Sequence, residues 1–96
     1  MIIKLEKFGT ILLFRENGKK AFLDIQPVLK KLKENENIEI DFTGVQTFTP
    51  SWGDEFLTPL LKTYSERLIL GDTSNPSVLA VLDILEQTTG KKFSKV

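Results

Sequence analysis

The sequence contains neither cysteine nor histidine. Without cysteine the chain has no disulfide and no thiol nucleophile. Without histidine it has no Ser–His dyad and no histidine-bound metal of its own. Thirteen basic residues balance thirteen acidic ones, so the formal net charge is zero. This balance removes the usual electrostatic argument for nucleic acid or an anionic membrane as the main partner.

Long apolar runs are absent as well. No segment approaches the roughly 20 apolar residues that a membrane-spanning helix needs, and the first residues interleave acids and bases rather than form a signal-peptide core. The chain has 96 residues, of which 41% are hydrophobic and 27% charged. We therefore expect one cytoplasmic domain over residues 1–96, with a short basic tail at 91–96 that is frayed or lies at a partner surface.

The segment 38–56 is the most informative part of the sequence. Ile38, Ile40 and Phe42 alternate with Glu39 and Asp41, which predicts a strand with one apolar face. Gly44 ends the alternation, and Val45 and Phe48 then anchor the connecting loop to the core. The pattern therefore predicts a buried central strand followed by a short crossing loop.

A helix is predicted directly after this loop, over about Pro50 to Tyr64. Thr49 is a good N-cap and Pro50 suits the first helical turn. Asp54 and Glu55 follow near the positive end of the helix dipole. Ser51 is thereby placed on the first turn, beside the carboxyl end of the central strand. We expect Pro59 to bend the helix.

The same order of strand, capping residues and helix recurs later in the chain. Residues 68–70 predict a buried strand, and Asn75 and Pro76 lie where a helix begins. Its inward positions are Val78, Val81, Leu82 and Leu85, and Gly90 suits its end. Two N-terminal strands are predicted, at 2–8 and 11–14.

Residues 18–33 allow two interpretations. Ala21, Ile25, Val28, Leu29 and Leu32 follow a helical spacing, which predicts one helix bent at Pro27. The pair Asn17-Gly18 between apolar runs instead indicates a hairpin, followed by a short helix from Pro27. We favour the helix. The element order then predicts an α/β domain with a mixed sheet of about four strands and three helices packed on it.

The central segment carries a family resemblance. The series Asp41-Phe42-x-Gly44-Val45, a hydroxyl-rich loop and Asp54-Glu55-Phe56-Leu57 resembles the STAS-like family (the DUF4325 group), which is related to the STAS domains of bacterial anti-sigma factor antagonists. Arg15-Glu16-Asn17-Gly18 resembles the family's arginine-containing helix entry. The resemblance spans most of residues 8–86 and implies a single STAS-like domain.

In anti-sigma factor antagonists the loop reads Asp-Ser-Ser-Gly, and its second serine is phosphorylated by a partner kinase. Thr49, Pro50, Ser51 and Trp52 align with these four positions, and only Ser51 matches. The resemblance implies a bacterial or phage regulatory module that binds a kinase-like ATPase or anti-sigma type partner. It also implies a non-enzymatic role, no cofactor and a possible phosphorylation switch at Ser51.

The predicted partner-binding residues lie in two segments. They are Thr49, Pro50, Ser51, Trp52 and Asp54 at the start of the central helix, and Asp72 and Ser74 in the loop before the last helix. Each also has a purely structural interpretation. Ser51 simply suits a helix start, and Trp52, a potential interface anchor, can equally be a lid over the edge of the core.

Other functions remain as alternatives. Asp41, Asp54, Glu55 and Asp72 could converge at the carboxyl edge of the sheet to bind Mg²⁺ or a nucleotide, although each also suits its strand or helix start. An assembly subunit that oligomerises through Trp52 and its apolar helix faces is a further possibility. The lysines at 19, 20, 30, 31, 33, 91, 92 and 95 form a solvated face. Arg15 is expected either at a partner contact or in an ion pair with Glu16 or Asp41.

Overall fold

Strands and helices alternate in the computed structural model, which describes residues 1–96. The strands are β1 Ile2–Lys4, β2 Ile11–Leu12, β3 Ile38–Asp41, β4 Thr47–Phe48, β5 Leu68–Leu70 and β6 Ser94–Lys95. The helices are α1 Arg15–Asp24, α2 Gln26–Leu29, α3 Pro50–Tyr64 and α4 Pro76–Thr89, with short 3-10 helices at Leu5–Phe8 and Ser65–Arg67. None of the helices is long and apolar enough to cross a membrane.

The main sheet has four strands in the order β1-β3-β5-β6. Its three ladders are all parallel, so the number of strands agrees with the sequence-based expectation but the sheet is not mixed. The reason is that a helix separates each strand from the next one in this order, and such crossovers join parallel strands. Along β3 and β5, buried residues alternate with partly exposed ones, so one face of the sheet is buried.

The two N-terminal strands differ from their prediction. β1 ends at Lys4 because the chain turns into the 3-10 helix Leu5–Phe8, although Leu5 stays in the core. β2 does not extend the main sheet. It pairs with β4 in a separate two-stranded parallel sheet, with Leu12 opposite Phe48. This small sheet holds the segment before α1 against the segment before α3.

Residues 15–29 are helical, which excludes the predicted alternative of a hairpin. The expected single bent helix is instead two helices, α1 and α2, that meet at Ile25. Pro27 lies in the first turn of α2, where its missing N–H costs no hydrogen bond. Ala21, Ile25 and Leu29 are buried as predicted. Val28 is exposed, which differs from its predicted place on the buried stripe.

Helix α3 has the predicted bounds and lies at the centre of the core. Its buried face includes Trp52, Phe56, Leu57, Leu60 and Leu61. Two glycines allow neighbouring helices to approach its first turn. A Cβ on Gly18 of α1 would lie 2.6 Å from the Trp52 carbonyl oxygen, and one on Gly53 would lie 3.0 Å from a Val81 side-chain carbon of α4.

Helix α4 also agrees with its prediction. Val78, Val81, Leu82 and Leu85 are buried, and the chain leaves the helix through Gly90 in the left-handed conformation. The tail that follows is not frayed. Phe93 is 6% exposed within the core, and β6 adds to the open edge of β5.

Candidate functional site

The start of α3 is built from the capping interactions that the sequence predicts. The Thr49 hydroxyl accepts the Trp52 N–H at 3.3 Å and donates to the Leu13 carbonyl at 2.6 Å. Pro50 and Ser51 follow as the first two helical residues. Thr49 therefore joins the segment before α1 to the first turn of α3, and Ser51 is partly exposed on that turn.

Arg15 links α1 to the same turn. Its Nη1 donates to Asp54 Oδ2 at 3.0 Å and to Glu55 Oε1 at 2.9 Å. These hydrogen bonds, to Glu55 first and Asp54 second, raise the Arg15 pKa. The predicted ion pairs of Arg15 with Glu16 or Asp41 are wrong. The reason is that α1 begins at Arg15 and packs against α3, which brings its first residue to the acidic turn of α3.

A shallow depression of about 220 Å³ opens beside Ser51. Residues of three helices line it, among them Arg15, Pro50, Ser51, Asp54, Ile84 and Thr88. Two apolar side chains are exposed nearby. Ile84 on α4 is 41% exposed, and Phe14, which directly precedes Arg15, is 64% exposed. We call the surface formed by Phe14, Arg15, Pro50, Ser51, Asp54 and Ile84 the entry surface.

Trp52 does not belong to this surface. It is 1% exposed, and its ring stacks on Phe56 with 5.0 Å between ring centroids. Phe8 and Phe48 pack against it from other elements. The interpretation of Trp52 as an exposed partner anchor, or as the residue through which the chain oligomerises, is therefore wrong. It is part of the core, because it occupies the buried side of the first turn of α3.

Asp72 and Ser74 lie at a second depression, which is wide, open and about 760 Å³ in volume. It is lined by the loop after β3 and the loop after β5, and Ser51 is not among its residues. Asp72 and Ser74 are both exposed. The two predicted partner-binding segments therefore border different depressions, at opposite ends of α4.

Asn75 joins the walls of this second depression. Sequence reasoning had predicted Asn75 only as the start of a helix. Its Oδ1 accepts the Ser77 N–H at 2.8 Å. Its Nδ2 donates to the Val45 carbonyl at 2.8 Å and to the Gln46 carbonyl at 3.1 Å. Asn75 thus caps α4 and ties it to the loop after β3.

The four carboxylates do not converge. Asp54 and Glu55 share Arg15 at the start of α3, and nowhere do three or more potential metal ligands cluster. Asp41 is held locally by Thr43. Hydrogen bonds from the Thr43 side chain and from its N–H, which is 2.9 Å from Asp41 Oδ1, lower the Asp41 pKa.

Sequence reasoning missed the exposed apolar members of the entry surface. Ile84 falls outside the stripe of Val78, Val81, Leu82 and Leu85, so its apolar side chain on the outer face of α4 was a readable signal. Phe14 was absorbed into a predicted strand. Because β2 ends at Leu12 and α1 begins at Arg15, Phe14 instead occupies the N-cap position and projects from the core.

The fold and the site together define a small α/β domain with a parallel sheet, whose central helix begins at an exposed, hydroxyl-bearing turn. The chain belongs to the family of STAS-like domains of unknown function (DUF4325), whose model matches residues 17–78. The matched segment contains Ser51 and Asp54 but neither Arg15 nor Ile84. No curated protein and no solved structure shows a significant match to the chain.

Proposed function

We propose that this chain is a regulatory module that binds another protein through the entry surface. One observation carries the proposal: partly exposed Ser51 lines a depression with Arg15 and Ile84, and the exposed Phe14 directly precedes Arg15. Aromatic side chains are enriched at protein interfaces. Exposed apolar groups beside a polar rim are also typical of interaction sites.

The family's relation to anti-sigma factor antagonists suggests the class of partner. We infer a kinase-like ATPase or an anti-sigma type regulator, acting in the cytoplasm of a bacterium or on behalf of a phage. In this proposal the chain is not an enzyme. Ser51 is instead the group on which the partner acts.

Phosphorylation of Ser51 is the proposed switch. A phosphoserine adds about 1.5 to 2 negative charges at pH 7. Ser51 and Asp54 line the same depression, and Glu55 lies beside Asp54, so the phosphate adds bulk and charge to a turn that is already acidic. A partner docked over this turn is then displaced, while the fold, which does not depend on the Ser51 side chain, stays intact.

The test is a quantitative capture of binding proteins from a lysate of the source organism. The baits are the unmodified chain, Ser51→Ala and Ser51→Glu, with Thr63→Glu as a matched control because Thr63 is exposed at the far end of α3. We expect one partner to bind every bait except Ser51→Glu. Equal capture by Ser51→Glu refutes the switch, and no capture by the unmodified chain refutes the module.

The second depression favours a second candidate function, the binding of a small polar ligand. It lies where β3 and β5 end, and α/β folds usually bind ligands at the carboxyl ends of their strands. A thermal-shift series with Mg²⁺ and nucleotides tests it, because a ligand that binds only the folded chain raises the Tm. Light scattering in the same buffers tests a third candidate, a stable homo-oligomer.

A further inference from the structure

The elements that form the entry surface are unequal in charge. Residues 34–61, which include the first half of α3, contain acidic residues but no lysine or arginine. Helix α4 contains Asp83 and Glu86 and no basic residue. Glu86 is paired with Lys92 of the tail, and Arg15 is the only cation among the residues that line the depression. The chain is neutral as a whole, but the surroundings of Ser51 are acidic.

Arg15 does not neutralise this acidity. A single nitrogen, Nη1, is 3.0 Å from Asp54 Oδ2 and 2.9 Å from Glu55 Oε1. One positive charge is therefore shared between two carboxylates, and the group keeps an excess negative charge. Both carboxylates are partly exposed, so a cation from outside the chain can pair with either of them.

Apolar contact area lies next to this charge. Ile84 lines the depression with Asp54, and Phe14 precedes Arg15 in the chain. The depression, at about 220 Å³, is too small and too open for a globular partner to enter, and it is of a size to receive a side chain. A matching segment therefore needs an apolar side chain to cover Ile84 or Phe14, and a neighbouring cation to pair with Asp54 or Glu55.

We propose that the entry surface binds a segment of a partner protein that presents an aromatic or aliphatic side chain next to lysine or arginine. This inference rests on the proposed function, which it deepens by naming the chemistry of the partner. It also specifies how a phosphate at Ser51 displaces the partner. A phosphate attracts a cation, so the switch at Ser51 works against the apolar and steric part of the contact rather than its charge.

The test uses the full chain to select from a library of displayed 12-residue peptides, followed by fluorescence-anisotropy titration of the selected peptides as synthetic probes. We expect the selected peptides to share an apolar residue flanked by lysine or arginine. Ile84→Ser weakens their binding at least about tenfold, as loss of an apolar anchor does. Leu23→Ser is the matched control, because Leu23 is exposed on α1 and is not part of the entry surface.

Charge variants separate this chemistry from simple hydrophobic binding. Glu55→Gln weakens binding about threefold and reduces its salt dependence, whereas Glu66→Gln, at an exposed position outside the surface, has no effect. Arg15→Gln has the opposite effect, because it leaves both carboxylates unpaired, and binding becomes tighter at low salt. Thermal unfolding of each variant confirms that it is folded.

The inference is overturned by enrichment of acidic peptides, by no enrichment at all, or by binding that is insensitive to Ile84→Ser. A second copy of the chain on this surface, seen as an oligomer by light scattering that Ile84→Ser disperses, overturns it as well. Failure of the proposed function looks different. In that case basic-apolar peptides bind as expected, yet the lysate yields no partner whose capture depends on Ser51.

Discussion

Replacing Gly18 by alanine tests whether α1 and α3 approach as closely as the structure indicates. In an ordinary helix, alanine is more stable than glycine by about 1 kcal/mol. At Gly18, however, the added Cβ would lie 2.6 Å from the Trp52 carbonyl oxygen and 3.0 Å from the Trp52 Cα. Both are backbone atoms, so no side-chain rotation relieves the clash.

The two effects have opposite signs, and their sizes decide the result. Overpacking of a tight contact costs about 1 to 3 kcal/mol. Because the contacted atoms belong to the backbone of the central helix, we place the cost near the upper end of this range, at about 3 kcal/mol. After subtraction of the helix-propensity gain, Gly18→Ala lowers the free energy of unfolding by about 2 kcal/mol.

Urea unfolding followed by circular dichroism measures this change, with the midpoint falling and the slope unchanged. In thermal unfolding, each kcal/mol corresponds to roughly 4–8 °C in Tm for a domain of this size. Asn17→Ala is the matched control, because Asn17 is exposed on the same helix and gains propensity without a clash. If Gly18→Ala is as stable as Asn17→Ala or more so, the close approach of α1 to α3 is wrong.

Three further predictions concern the cap of α3, the C-terminal tail and Asp41. Thr49→Ala lowers the free energy of unfolding by about 1 to 2 kcal/mol in urea unfolding, because the Trp52 N–H loses its acceptor, and Thr49→Ser restores most of it. Phe93→Ala lowers it by about 3 kcal/mol in the same assay, whereas a frayed tail would give no change. Asp41→Asn is less stable than the unmodified chain at pH 7. Because folding lowers the Asp41 pKa, the ionised carboxylate stabilises the fold at pH values above the unfolded pKa of about 3.9. This stabilisation is lost as the pH falls through the folded pKa. In acid titrations, the difference in free energy of unfolding between the two proteins therefore narrows below about pH 4.

The parts of the fold that sequence predicted best are those with local signals. Both long helices begin at a capping side chain followed by proline, Thr49-Pro50 and Asn75-Pro76, and both were placed correctly. The signal is strong because the cap and the proline each act within one turn of the helix start. The buried stripe of α4 followed equally well from its spacing.

The parts that sequence did not predict depend on contacts between distant residues. β2 pairs with β4 across more than 30 positions, and the two residues of β6 find the open edge of β5. Strands of this length carry no readable alternation of their own. Trp52 is a different case, because sequence reasoning left its burial or exposure open. Its spacing of four from Phe56 puts both residues on one face of α3, and this was an unused signal for the burial that the structure shows.

In the candidate site, too, local features were predicted and contacts between distant residues were not. The position of Ser51 in the first turn of α3 was predicted correctly, because it is a local property, and its role as a switch stays a prediction. Arg15 was singled out, but its partners were not, because only the packing of α1 on α3 brings it to Asp54 and Glu55. Ile84 could be read as an apolar residue off the buried stripe, yet nothing in the sequence placed it beside Ser51.

The core and the entry surface depend on the same helix contacts. Gly18 and Gly53 let α1 and α4 approach the first turn of α3, and Arg15 and Ile84 of these two helices line the depression beside Ser51. A substitution that separates the helices therefore alters the surface as well as the stability. Gly18→Ala should accordingly weaken binding of the basic-apolar peptides even at temperatures where the variant is fully folded, because the exposed Phe14 at the N-cap of α1 moves with that helix. Undiminished binding by a folded Gly18→Ala variant would mean that the surface is set by α3 and α4 alone, and that Phe14 is dispensable to it.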